Sequence, residues 1–189
     1  ISLKGVQEND YTMIIGFPGR TTRFMLSEEA RETQKVNNAV SIYVRGEKQK
    51  IWMDDTLAHP KVRIQYSSKY AGSSNGWKKW MGMNETFDKL NIVERRAAEE
   101  KAFNEWVAAD PKRVEKYGNA VETINNTIKE RAEVAYVYRY ISESLSSIEL
   151  IKAPLSAKRG GMDAFFKDYS VDTDRKLAKR MIAIYKEKV

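Results

Sequence analysis

Four prolines, at positions 18, 60, 111 and 154, are all that punctuates this 189-residue chain, and ten glycines add few further breaks. Proline removes a backbone donor and fixes φ, and glycine weakens a helix, so their scarcity leaves long stretches free to be helical. Between the prolines, apolar residues recur at spacings of three and four, the period of an amphipathic helix. The chain is therefore expected to be mainly α, an elongated bundle of long antiparallel helices with one short β segment at its N-terminus.

Composition narrows the chemistry. Hydrophobic residues make up 42% and charged residues 31%, as in a globular chain with long solvated helix faces. No apolar run is long enough for a membrane span. The absence of cysteine excludes disulfides, thiolate zinc sites and thiol nucleophiles. His59 is the only histidine. It stands directly before Pro60, beside no serine motif, so a self-contained Ser-His-Asp triad is not expected. No catalytic residue, metal ligand or cofactor is assigned to the chain. The net charge is +7, but Lys and Arg alternate with Glu, as in Arg95-Arg96-Ala97-Ala98-Glu99-Glu100-Lys101. Lys176, Lys179 and Arg180 are offset by Asp172 and Asp174. Interleaved signs mark solvated helices, and no nucleic-acid partner is expected. The chain opens on Ile1 rather than Met, which reads as a piece of a longer precursor.

In order along the chain, residues 11 to 16 are β-branched and apolar and read as a strand. Phe17-Pro18-Gly19 reads as a turn and residues 21 to 24 as a second short strand. Ser27-Glu28-Glu29 is a cap followed by first-turn acids, opening a helix that runs to Leu57 with an irregularity near Gly46. A second helix starts at Pro60, where proline is tolerated in the first turn. Residues 92 to 108 form a third, with Phe103, Trp106 and Val107 as core candidates. Asp110-Pro111 caps and starts a fourth, expected to run unbroken to about Lys152 and to be stopped by Pro154. Its apolar face includes Ile124, Ile128, Tyr138 and Ile148. Residues 156 to 161 read as a flexible basic loop. Asp172 or Asp174 caps a last helix, whose wide stripe of Leu177, Met181 and Ile184 is expected to lack its partner.

Lys69 to Asn84, KYAGSSNGWKKWMGMN, is the densest stretch. Val62, Tyr66, Tyr70, Ser73, Trp77, Trp80 or Met81, and Phe87 follow one helical face and read as core rather than as a stacking platform. Rotation by 100° per residue gathers a second stripe of Ser68, Ala71, Gly72, Asn75, Lys79 and Gly82, small except for Lys79, on the opposite side. Such a stripe admits another backbone or leaves room for a ligand. The uninterrupted aromatic period favours a continuous helix, with a loop at Ser73 to Gly76 as the alternative, because Asn-Gly is a turn dipeptide.

Other motifs carry blander readings. Gly16 to Arg20 lacks the spacing of a phosphate loop. Asp54-Asp55 and Glu99-Glu100 are adjacent on helices and so diverge. They read as solvated or capping charges rather than metal ligands.

Gly16-Phe17-Pro18-Gly19-Arg20-Thr21-Thr22-Arg23-Phe24, followed by Lys69-Tyr70-Ala71-Gly72-Ser73-Ser74-Asn75-Gly76-Trp77-Lys78 and Gly82-Met83-Asn84, resembles the bacterial family-46 serine peptidases, the dipeptidyl-peptidases of the seven and eleven types. The family often has a bulky Tyr after the Asn, where this chain has Gly76. The resemblance implies a parent with a chymotrypsin-like double β-barrel carrying a Ser-His-Asp triad, capped by an inserted helical domain, that removes dipeptides from free peptide N-termini. Residues 1–26 would be terminal strands of the barrel and residues 27–189 the first part of the cap, cut at its C-terminal end. The triad would lie outside this chain. Asn75 would be the substrate-binding residue, helping to hold the α-ammonium. The implied partners are oligopeptides with a free N-terminus and the barrel of the same polypeptide, with a homodimer left open. The implied location is the periplasm or cell surface. A different reading of the open stripe on the last helix is a stand-alone helical protein-interaction module.

Overall fold

The computed structural model describes residues 3–13, 15, 16 and 22–189. Its helices are α1 (Ser27–Glu32), α2 (Ala39–Ala58), α3 (Pro60–Lys89), α4 (Ile92–Ala108), α5 (Pro111–Tyr117), α6 (Ala120–Glu130), α7 (Ala132–Glu143), α8 (Glu149–Lys167) and α9 (Val171–Lys188). A π-helical turn, Thr33–Asn38, joins α1 to α2, and a 3₁₀ turn, Leu145–Ser147, follows α7. The mainly α expectation holds. The strands expected at residues 11–16 and 21–24 do not form among the described residues. Tyr11, Ile15 and Phe24 are 86%, 90% and 86% exposed. Two short apolar stretches with no third strand beside them have no ladder to join. The turn expected at Phe17-Pro18-Gly19 lies outside the described residues.

The core forms where α2 packs on α3, α7 and α9. Val40, Val44 and Trp52 from α2 meet Val62 and Tyr66 from α3, Tyr140 from α7, Ile148, and Leu177, Met181 and Ile184 from α9. Those last three are fully buried. The stripe on the last helix is thus partnered within this chain, contrary to expectation, and it closes the core. A second cluster forms where α1 packs on α4 and α6.

The first long helix is irregular at Thr33–Asn38 rather than at Gly46. The π turn displaces backbone carbonyls from the regular ladder, and α3 supplies partners. Asn84 Nδ2 donates to Gln34 O at 3.1 Å, Asn38 Nδ2 donates to Asn84 Oδ1 at 2.8 Å, and Gln34 Nε2 donates to Asp88 Oδ1 at 2.6 Å. Gly46 lies inside a continuous α2, and a Cβ there would sit 3.6 Å from the Trp77 indole nitrogen. That is ordinary van der Waals distance, so the glycine neither kinks α2 nor is required there by a close contact.

The expected fourth helix is instead broken at Gly118-Asn119, at Arg131 and at Ser144–Ile148. Each break resets the helical phase, and in α7 Tyr140 rather than Tyr138 is buried, while in α6 Ile128 is buried and Ile124 is 48% exposed. Asp110 caps α5 as expected, accepting from Lys112 N at 2.8 Å. Trp106 is 47% exposed rather than core. It lies beside Phe103 and Tyr117 under the Arg113 guanidinium, 4.1 Å from its ring centroid.

Pro154 does not stop a helix but lies inside α8, early enough that only the carbonyl of exposed Leu150 loses its bond. Residues 156–161, expected as a flexible loop, continue α8 until Gly161, whose φ of 82° breaks it.

Several helix ends are held by side chains distant in sequence. Ser27 begins α1 and donates through both its backbone N–H and its hydroxyl to the Glu100 carboxylate, which also accepts from Asn125 Nδ2 at 3.0 Å. The capping reading of Glu100 is borne out, across two helices. Ser170, not Asp172 or Asp174, caps α9. Asp174 is buried and caps α8 instead, accepting from Glu149 N at 2.8 Å, Leu150 N at 3.0 Å and Tyr169 hydroxyl at 3.2 Å. Its removal takes the acceptor from the first two N–H groups of α8 and from the Tyr169 hydroxyl. Asp174→Ala is therefore expected to cost about 2–3 kcal/mol, lowering Tm by roughly 5–10 °C in thermal unfolding followed by circular dichroism. The exposed Asp172, paired only with Arg175, should tolerate the same change within about 0.5 kcal/mol.

Candidate functional site

Helix α3 runs without interruption from Pro60 to Lys89, so Ser73 to Gly76 is helix, not loop. Its two faces are as different as the sequence requires. Ser68, Ala71, Gly72, Asn75, Lys79 and Gly82 are all exposed. A Cβ added at Gly72 or Gly82 would meet nothing within 4 Å. The Asn75 carboxamide stands between them and makes no side-chain hydrogen bond to another described residue. A free amide offers one neutral acceptor and two donor positions, held on a backbone that the helix fixes.

The opposite face is packed, though not uniformly dry. Val62, Tyr66 and Ser73 are buried, while Trp77, Trp80 and Phe87 are half-buried against α2 and its neighbours. Trp77 Nε1 donates to Ile42 O at 2.9 Å across the α2–α3 interface. Lys69, inside the same motif, reaches α8: its ammonium meets Glu149 Oε2 at 2.5 Å and the Asp168 carbonyl.

Directly behind Asn75 lies a charged cluster that the sequence reading misses. Arg45 of α2 donates through Nε to Glu143 Oε2 at 2.8 Å and through Nη2 to Glu143 Oε1 at 3.2 Å. Arg139 of α7 reaches the same carboxylate at 3.3 Å and donates through Nε to Ser41 Oγ at 2.8 Å. Both guanidiniums lie over the Trp80 ring, at 4.4 Å for Arg45 and 5.3 Å for Arg139. Arg45 Nη1 also lies 3.5 Å from Ser73 O. A Cβ at Gly76 would fall 2.7 Å from that same nitrogen, so the absence of a side chain at 76 gives the guanidinium its place. Helical periodicity marks single faces and cannot pair Arg45 with a glutamate 98 residues away. The available signal was the Gly76 gap beside two tryptophans.

No group of three or more His, Asp or Glu among the described residues is arranged to hold a metal ion. His59 joins α2 to α3 with extended backbone. No helix of the described residues is long and apolar enough to cross a membrane. What this face can do chemically is accept a hydrogen bond from a donor, on a surface open enough for the donor's own backbone to approach.

The sequence profile of Peptidase S46 fits residues 1–188, and the chain belongs to that family. It is 34% identical to Dipeptidyl-peptidase 7 of Porphyromonas endodontalis and 31% identical to the Asp/Glu-specific dipeptidyl-peptidase of Porphyromonas gingivalis, in both cases over its full length. It spans 25% and 29% of those two proteins. In structure it is similar to Porphyromonas endodontalis DPP11 in complex with the dipeptide Arg-Asp, with a TM-score of 0.82 and 29% identity. That match covers 92% of this chain and 28% of the other.

The charges behind α3 give the protein a pH signature. Lys48, one turn beyond Arg45 on α2, is 7% exposed and lies 5.1 Å from the Trp52 ring centroid. Burial first, and then the charge of Arg45, push its ammonium down to about 8, with Glu143 and Glu149 only partly opposing. Between that value and the ordinary lysine range the unfolded chain binds more protons than the folded one, so stability rises with pH. Burial, helped by Glu149 for Tyr66 and by Tyr136 for Tyr140, pushes both phenols up. Above about pH 10 the unfolded chain loses those protons first and stability falls. Urea denaturation across pH 7 to 11 should therefore show a rise from pH 8 to about 10 and then a decline. Lys48→Met should raise stability at pH 7 by roughly 2–3 kcal/mol and abolish the rise.

Proposed function

We propose that this chain is the helical cap portion of a serine-type dipeptidyl-peptidase that removes dipeptides from the free N-terminus of oligopeptides. In this reading residues 1–26 belong to the peptidase barrel and residues 27–189 to the cap. The catalytic triad lies in the barrel, outside this chain, and the fragment alone is inactive. The whole enzyme works in the periplasm or at the cell surface of a bacterium. Family membership supports the reading, as does the similarity to a protein whose structure holds a dipeptide. The exposure of the N-terminal residues supports a boundary near residue 26. Leu3, Val6, Tyr11 and Met13 are 98%, 70%, 86% and 66% exposed, whereas helical packing begins at Ser27.

The observation that carries the reading is the free carboxamide of Asn75 on an exposed stripe of small residues. An α-ammonium is a compact three-donor cation, and an amide oxygen accepts one of its protons without a second charge to desolvate. The stripe itself holds no carboxylate, only Lys79. The counter-charge for the ammonium therefore comes from the barrel side of the cleft. Binding the amine while the cap closes the end of the cleft fixes the cleavage point two residues in. The interaction-module reading rested on an open stripe on the last helix. That stripe is buried, and nothing in the reading needs a second copy of the chain.

In the full-length enzyme, Asn75→Ala is expected to lower kcat/KM for dipeptidyl anilides by roughly 10- to 150-fold, mostly through KM, as befits loss of one hydrogen bond to a charged group worth about 1.5–3 kcal/mol. Steady-state kinetics alongside a circular-dichroism check of folding make the measurement. Kinetics equal to those of the unaltered enzyme would remove Asn75 from the substrate site.

A further inference from the structure

The reading of Asn75 as an ammonium acceptor leaves open what fixes that residue's direction. A carboxamide on a helix inherits its aim from the rotation of the helix about its own axis. With side chains, a helix has a radius of about 5–6 Å, so a rotation of roughly 10° moves the amide about 1 Å. Misplacement on that scale can cost about 100-fold in rate. Apolar contacts alone resist such a rotation weakly, because a half-buried face such as that of Trp80 can slide. Directional contacts resist it strongly.

Resting on that reading, we propose that Arg45 is a positioning residue for Asn75, acting with Glu143 and Arg139 as a clamp on the back of α3. The guanidinium of Arg45 touches three points on that back: the Trp80 ring, the Ser73 carbonyl and the space left open by Gly76. Ser73 and Gly76 flank Asn75 in sequence, and Trp80 lies just over one turn further along. Arg45 is held in turn by two hydrogen bonds to the carboxylate of Glu143. Arg139 binds that same carboxylate and covers the same indole. The clamp joins α2, α3 and α7, which come from distant parts of the sequence. With the Trp77 hydrogen bond to Ile42 O, it sets the rotation that decides where Asn75 points, and it is the contact nearest that residue's own turn. The Gly76 backbone is part of the device, since any side chain there meets the guanidinium.

A double-mutant cycle in the full-length enzyme tests the proposal. Arg45→Met is expected to lower kcat/KM for a dipeptidyl anilide about tenfold, through KM. In the Asn75→Ala background the same change should add less than twofold, because the residue it positions is gone. Arg45→Lys keeps the ion pair with Glu143 and secures the test should the methionine variant fail to fold. It should fold, lose activity to a lesser degree and show the same coupling. Gly76→Ala, which displaces the guanidinium without removing it, should likewise raise KM and couple to Asn75. If Asn75→Ala impairs binding but the losses are additive, the positioning role is overturned while the ammonium reading stands. If Asn75→Ala is silent, both are overturned.

Discussion

One buried carboxylate, that of Glu143, stands between two guanidiniums, and the geometry of the candidate site depends on it. A lone charge at that depth would be expelled or neutralised, and two arginines without their glutamate would repel each other. Together they leave one excess positive charge, next to the π face of Trp80, over which both guanidiniums lie. Buried ion sets of this kind are weak evidence for stability, since well-packed apolar residues often serve as well. What distinguishes them is direction. A methyl group packs in many orientations, whereas a guanidinium that bonds a carboxylate through two nitrogens and covers an indole has few. The α2–α3–α7 junction is therefore specified by angle, not merely filled by volume.

The same logic recurs at the helix ends. Glu100 holds the start of α1, Asp174 the start of α8, and Asn84 a carbonyl displaced by the π turn. Each donor or acceptor comes from a different helix than the one it satisfies. Polar side chains thereby perform a joining role that larger domains leave to apolar bulk. The exposed apolar side chains on α7 and α8, such as Val134 and Leu155, agree with a core that is narrow and held at its margins.

This division explains what the sequence made legible. Periodicity found α3, its continuity and the side on which Asn75 stands, because those depend on residues three and four apart. It found the mainly α class and the Asp110-Pro111 start for the same reason. It failed where the deciding partner was remote. The long fourth helix was expected whole, because nothing local announces the breaks at Arg131 and Ser144. An irregularity was expected near Gly46, because glycine is the local signal, while the partner that stabilises the actual π turn is Asn84. The stripe of Leu177, Met181 and Ile184 looked orphaned because α2 lies more than a hundred residues away. Asn75 itself was singled out by resemblance to a family. Geometry contributed only its exposure and lack of a partner. Arg45 and Glu143 were invisible because a charged residue on a helix reads as solvated until its partner across the interface is known.

The electrostatics of α3 carry the argument one step further. Arg45, Arg139 and Glu143 lie behind the helix with one excess positive charge, and Lys79 lies on its open face, so the charges described beside Asn75 sum to a positive value. Such a surface repels the ammonium group that the proposed function asks it to bind. A neutral amide is the acceptor compatible with that field, because a carboxylate at position 75 would be drawn to Lys79, one turn away, and lost to the ligand. Recognition then cannot be completed by the cap alone. Under the proposed function, an acid presented from the barrel outweighs the local cations, and Asn75 selects direction rather than supplying attraction.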